Sequence, residues 1–240
     1  MEKQILIKNG IRNDGRGILD LRPIKITAGV LKKADGSAMI EWGKNKILAA
    51  VYGPREAFPK HAANPNRANV NCKYSMAPFS SLEEHGRSGP NRRAIEIGKV
   101  AKHVFENVIL TNQFPKTQID ISIEILQSDG GTRIAGITAA AVALADAGIP
   151  MKDLVQGVSV GKVDGQLVVD VDKIEDNLGT SDIPVIVSLR TNEILLFQLD
   201  GMLEKKEIET AIDYSFEAAK AVRALQIEAL KNKYVVEESG

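Results

Sequence analysis

The stretch TQIDISIEILQSDGGTRIAGITAAAVALADAG, residues 117–148, reads as a strand, a glycine turn and a helix in succession. In Thr117–Gln127, Ile119, Ile121, Ile123 and Ile125 alternate with Asp120, Ser122 and Glu124. That period of two puts isoleucine on one face of a strand and polar groups on the other. Arg133–Ala147 is rich in alanine and stops at Gly148 with Pro150 beyond, the usual pattern of a helix end. Its small side chains predict close packing against a sheet.

Upstream, Ser37–Trp42, Lys46–Tyr52 and Ala68–Met76 read as strands, with turn signals at Asp35-Gly36 and Gly43-Lys44-Asn45. Residues 10–23 are rich in Gly, Arg and Asp and read as an irregular entry segment. Phe79–Asn91 turns polar and reads as a surface loop. Arg92–Leu110 has Ile95, Gly98, Ala101, Val104, Phe105 and Val108 at helical spacing. Downstream, Val155–Val163 and Gln166–Val171 form a hairpin about Asp164-Gly165. Pro184–Leu189 and Ile194–Leu199 form another about Thr191-Asn192. A long helix over about 205–231 follows, with Ile208, Ala211, Ile212, Phe216, Ala219, Val222 and Leu225 on one side. The pattern is α+β with mixed sheets, divided near Pro150–Asp153 into residues 1–150 and 151–240, each half giving strands and then a helix.

Composition narrows the function. Apolar residues make up 44% of the 240 and aromatics only 5%, so the core rests on Ile, Val, Leu and Ala. Lys plus Arg balances Asp plus Glu at 31 each, which excludes a protein coating nucleic acid by bulk positive charge. Any contact with nucleic acid must then come from a local basic patch. Cys72 has no partner for a disulfide and reads as a half-buried strand thiol. His61, His85 and His103 share no metal-ligand spacing and read as surface residues. No signal-peptide core or bilayer-length apolar run is visible, which makes a cytoplasmic location the expectation.

Two helix starts carry the wrong charge. A helix N-terminus is already electropositive, which disfavours arginine there. One helix nevertheless begins Gly89-Pro90-Asn91-Arg92-Arg93 and the other Gly130-Gly131-Thr132-Arg133, so that a capping residue, Asn91 or Thr132, precedes arginine. An anion seated over the helix end would reconcile this. The plainer alternative is that Thr132 merely caps, Arg133 pairs with Asp129, and Arg92 and Arg93 are solvated. Arg87, Arg92, Arg93, Lys99 and Lys102 form the densest basic stretch, and without interleaved aromatics it suits a phosphate backbone rather than base stacking.

Glu175-Asp176-Asn177-Leu178-Gly179-Thr180-Ser181-Asp182 reads as a turn between the two hairpins. Its acids could be solvated. If the Gly179 bend brings Asp176 and Asp182 together, their repulsion raises one pKa and makes a general acid. The same pair could instead hold a divalent metal such as Mg²⁺.

Seven motifs then stand in order: Ala34-Asp35-Gly36-Ser37-Ala38, Ala50-Val51-Tyr52-Gly53-Pro54, Met76-Ala77-Pro78-Phe79-Ser80, Arg92-Arg93-Ala94-Ile95-Glu96, Ile125 through Arg133, Ala143 through Met151, and Glu175-Asp176 through Asp182-Ile183-Pro184. From about Gly10 to Tyr234 the chain resembles the ribonuclease PH family, whose fold is ribonuclease PH-like (ribosomal protein S5 domain 2-like). The resemblance implies phosphorolytic 3′→5′ exoribonuclease activity, with inorganic phosphate as co-substrate and 3′ tailing as the reverse reaction. It is nearest to the catalytic subunit of the archaeal exosome. That implies a hexameric ring of three heterodimers with an inactive paralogue, RNA-binding cap subunits and single-stranded RNA as substrate. It also implies that Arg92 and Arg93 hold RNA phosphates and that Gly131, Thr132 and Arg133 hold inorganic phosphate. Asp176 and Asp182 match the acidic pair, with Mg²⁺ or Mn²⁺ as a candidate ion. Many relatives have Gly-Glu-Ala-Asp where this chain has Gly179-Thr180-Ser181-Asp182, a loss of one charge beside the site. The rival readings are a non-catalytic RNA-binding scaffold of the same ring and a metal-dependent hydrolytic nuclease.

Overall fold

A computed structural model describes residues 5–81 and 92–234. The order of elements is β1 (Ile7–Lys8), β2 (Ile11–Arg12), β3 (Ile24–Ala28), β4 (Gly36–Trp42), β5 (Asn45–Glu56), β6 (Asn69–Met76), α1 (Arg92–Val108), β7 (Thr117–Gln127) and α2 (Thr132–Asp146), then β8 (Gln156–Val163), β9 (Gln166–Val169), α3 (Lys173–Leu178), β10 (Ser181–Ser188), β11 (Glu193–Phe197), β12 (Asp200–Gly201) and α4 (Lys205–Tyr234). The class is α+β.

The first five-stranded sheet has the order β3-β4-β5-β7-β6. Its pairs are antiparallel except β6 with β7. Parallel neighbours need a crossover, and α1 provides it while packing on β6. The second sheet runs β11-β10-β8-β9, with β12 added beside β10, and is antiparallel throughout.

Helix α2 packs on β4, β5 and β7 of the first sheet and on β8 and β10 of the second. A helix covered on both sides needs small apolar residues around its whole circumference, which explains the alanines. From Ile134 to Leu144 every residue is buried. The isoleucines of β7 point the way the alternation predicts, with Ile119, Ile121, Ile123 and Ile125 buried.

Four sequence expectations change. The entry segment is not simply irregular, because it contributes β2 and the buried side chains of Arg12 and Arg22. Strand β3 was missed; its partly exposed residues carry a weak pattern. The acidic run is not one turn. Residues 173–178 form α3, whose start Asp172 and Glu175 fix in a reciprocal capping box, and Ser181 already belongs to β10. Helix α4 reaches Tyr234, and its buried seam is Ala211, Ser215, Ala219, Val222, Gln226 and Ala229. Gln226 is drawn inside because its amide donates to the carbonyls of Thr138 and Val155. Ile212 and Phe216 therefore sit at the margin, half-buried.

Candidate active site

Helix α2 begins at a corner that glycine makes possible. Gly130 and Gly131 both have positive φ, 70° and 69°, and Gly131 rather than Thr132 is the N-cap. Thr132 stands one position inside the helix, and its hydroxyl accepts a hydrogen bond from Tyr74 at 2.9 Å. Arg133 does not pair with Asp129. Its Nη2 lies 3.0 Å from Glu96 of α1, and its Nη1 donates to Gln198 beyond β11. Gln198 in turn donates to Glu96 at 3.0 Å.

Asp176 is carried by α3 and Asp182 by β10, so a helix-to-strand corner at Gly179 brings them near each other. Both line one cleft of about 480 Å³ together with Arg93, Glu96, Gly131, Thr132, Arg133, Ser159, Gln198 and Asp200. Asp176, Arg93 and Thr132 also border an adjoining recess reaching Ser128, Gly130 and Lys173. The second half thus supplies carboxylates and the first supplies arginines and a helix start.

Burial raises the pKa of Asp182 to about 6, and the charges of Asp176 and Asp200 add to the rise. The Ser159 hydroxyl and Arg133 oppose it. Asp182 Oδ1 is buried without a protein hydrogen-bond partner. Asp176 is also shifted up, by desolvation first and with Asp200 adding, while Arg93 and Arg133 pull it down. Asp176 is the more exposed of the two. A carboxylic acid that keeps its proton toward neutral pH can donate it to a leaving oxygen.

Not every expected residue converges. Arg92, the first residue of α1, is exposed and lies outside the lining of the cleft. Asn91, His85 and Arg87 fall outside the described residues. His61 and His103 are exposed as expected. Cys72 sits half-buried on β6, its thiol pushed up to about 12 by burial. Glu96, Gln198, Ser159 and Asp200 were missed. Glu96 stands three residues after Arg93 on the same helix face, a legible signal, whereas Ser159 and Asp200 are brought in by sheet pairing and Gln198 follows the end of β11.

Most of the chain matches a family of 3′ exoribonucleases. The model of the 3′ exoribonuclease family, domain 1, matches residues 20–150, and that of domain 2 matches residues 153–218. The chain belongs to this ribonuclease PH family of 3′ exoribonucleases. Within it, the chain is 55% identical to the exosome complex component Rrp41 of Thermococcus kodakarensis, over 97% of this chain and 93% of that one. Its fold matches the crystal structure of rice (Oryza sativa) Rrp46 with a TM-score of 0.82 and 25% identity, covering 92% of this chain and 100% of that one. It also matches a chain of the Archaeoglobus fulgidus exosome with RNA bound to the active site, with a TM-score of 0.78 and 23% identity, over 90% and 92% of the two chains. Among the described residues no helix is long and apolar enough to cross a membrane.

Proposed function

We propose that this chain is the catalytic subunit of an archaeal exosome-like ring and degrades RNA from its 3′ end by phosphorolysis. The observation that carries the reading is the single cleft in which Arg93, Arg133 and the start of α2 face Asp176 and Asp182. Two anions must meet for phosphate to attack a phosphodiester, and fixed cations with free backbone N–H groups reduce that repulsion.

Gly131, Thr132 and Arg133 seat inorganic phosphate in line with the last linkage. Arg93 neutralises the RNA phosphate beside it, and Arg92, exposed at the helix tip, serves the strand farther from the bond that breaks. A phosphate oxygen attacks the phosphorus of the terminal nucleotide. The bond from that phosphorus to the 3′-oxygen of the preceding nucleotide breaks, and the departing oxygen takes a proton from the aspartate pair. The product is a nucleoside diphosphate, and the reverse reaction adds nucleotides from diphosphates. The two carboxyls titrate as a unit. The pair shares one proton held toward neutral pH by burial, and when that proton sits on Asp176, the more exposed of the two, it is delivered to the departing oxygen.

The site also fits a divalent cation. Asp182 Oδ1 is a buried oxygen with no protein donor, and Asp176 shares its cleft. Among the described residues no three His, Cys, Asp or Glu side chains are grouped to hold a metal. Asp176 and Asp182 would therefore hold Mg²⁺ or Mn²⁺ together with water and phosphate oxygens. Such an ion would supply charge neutralisation.

By likeness to its relatives the chain would work in the cytoplasm, in a hexamer of three heterodimers with an inactive paralogue, under cap subunits that receive single-stranded RNA. Residues 1–150 would bind RNA and phosphate, and residues 151–240 would bring the aspartates and the C-terminal helix. The test is to incubate the chain, alone and with its paralogue, with RNA in phosphate-free buffer and again with phosphate. Shortening should require phosphate. Equal shortening without it would support the hydrolytic alternative, and none under any condition the scaffold alternative.

A further inference from the structure

Arg22 lies in the entry segment, far in sequence from every residue assigned above, yet it joins both halves of the cleft from behind. Its side chain is almost wholly buried. On one side, Nε and Nη2 donate to the carboxylate of Asp170 at 3.1 and 2.6 Å, and its backbone N–H donates there too at 2.7 Å. Asp170 stands two residues before Asp172, the cap of α3. On the other side, Nη1 donates to the carbonyl of Asp129 at 2.5 Å and Nη2 approaches that of Gly130 at 3.4 Å. These two carbonyls lead directly into the Gly131–Arg133 turn.

Asp170 has its own anchors. Trp42 Nε1 donates to its carboxylate at 2.9 Å, and Arg12 Nη2 donates to its carbonyl at 2.9 Å. Asn45 holds the same glycine turn, its amide donating to Gly130 O at 2.7 Å and its carbonyl accepting from Asp129 N. A planar guanidinium can reach a carboxylate and two carbonyls at fixed angles, whereas an ammonium cannot.

We propose that Arg22 is a positioning residue that sets the spacing between the phosphate-binding turn and the helix carrying Asp176. It touches no substrate. It acts by fixing the backbone of Asp129 and Gly130 relative to Asp170, so that both reacting groups are held at one separation. The inference rests on the proposed seating of phosphate at Gly131–Arg133.

The test uses the full chain in the assembly in which the wild type is active. Arg22→Lys keeps a positive charge beside Asp170 but loses the fork to the turn. A double variant, Arg22→Met with Asp170→Asn, removes both charges of the buried pair together in case the lysine fails to fold, and Arg16, which also faces Asp170, keeps Asp14 and Glu175. Initial rates are measured against phosphate and against RNA separately, and binding of inorganic phosphate alone is followed by phosphorus NMR line broadening. The expected result is a rise of about 10- to 100-fold in KM for phosphate, with weaker phosphate binding and KM for RNA nearly unchanged. A merely structural role would lower the active fraction and hence kcat, leaving KM for phosphate where it was, and that result would overturn the inference. If the wild type itself neither binds nor needs phosphate, the proposed function falls and the inference with it.

Discussion

Arg133 Nη2 sits 3.0 Å from the carboxylate of Glu96, so the arginine proposed to receive phosphate already has an anionic partner from another helix. The contact orients the guanidinium toward the cleft, and it also places a negative charge where the proposed phosphate would approach. Glu96→Gln keeps a carbonyl for Arg133 and removes that charge. KM for phosphate should fall by about 3- to 10-fold, an order set by a charge-assisted contact at a partly exposed site. Initial rates over a range of phosphate concentration check this. A rise in KM would mean that Glu96 acts by orientation instead.

Asp182 makes a prediction about stability and pH. Its pKa in the fold, about 6, lies above the ordinary aspartate value of 3.8. A carboxyl raised in this way stabilises the folded chain below the unfolded pKa, and the benefit is lost as pH rises from about 4 through about 6. Asp182→Asn should therefore gain on the wild type over that window, by about 2 to 3 kcal/mol at neutral pH and by little at pH 4. Urea unfolding at several pH values gives the difference directly. A constant gap across pH would show that Asp182 is not held protonated.

Gly130 serves conformation and contact at once. Its φ is +70°, and a Cβ there would stand 2.6 Å from the carbonyl carbon of Asp172 and 2.8 Å from the nitrogen of Lys173. Gly130→Ala should push the proposed phosphate turn away from α3 and lower kcat/KM by about 100-fold. Gly148→Ala is the control. It shares a positive φ of 72° but has nothing within 4 Å, so it should cost about 1 to 2 kcal/mol of stability and leave activity intact.

Asp176→Asn removes the proposed proton donor without changing shape. Turnover should fall by about 10²- to 10⁴-fold with RNA binding largely kept. Filter binding beside single-turnover rates separates the two quantities. Equal losses in both would assign Asp176 to binding.

Much of this was legible before the structure. Strand β7 and helix α2 follow from the isoleucine alternation and the alanine-rich run, because each pattern has one period and a clear stop. The arginine at a helix start and the two aspartates stood out for a physical reason, since each carries charge where charge is costly. What stayed hidden was long-range. Asp200 and Ser159 enter the cleft through the pairing of β10 with β12 and β8, which no local spacing reveals. Helix α3 was hidden by its length, six residues among turn formers. Arg22 lay in a segment that reads only as irregular, and only the fold shows that Asp170 and the Asp129 carbonyl enclose it.

The central claim is that phosphate itself is the attacking group at the cleft shared by Arg133 and Asp176. Supplying radiolabelled inorganic phosphate with unlabelled RNA tests this most directly. The account predicts one label per nucleotide released, carried in the β-phosphate of a nucleoside diphosphate. Release of unlabelled nucleoside monophosphates, with all the label still in inorganic phosphate, would contradict it.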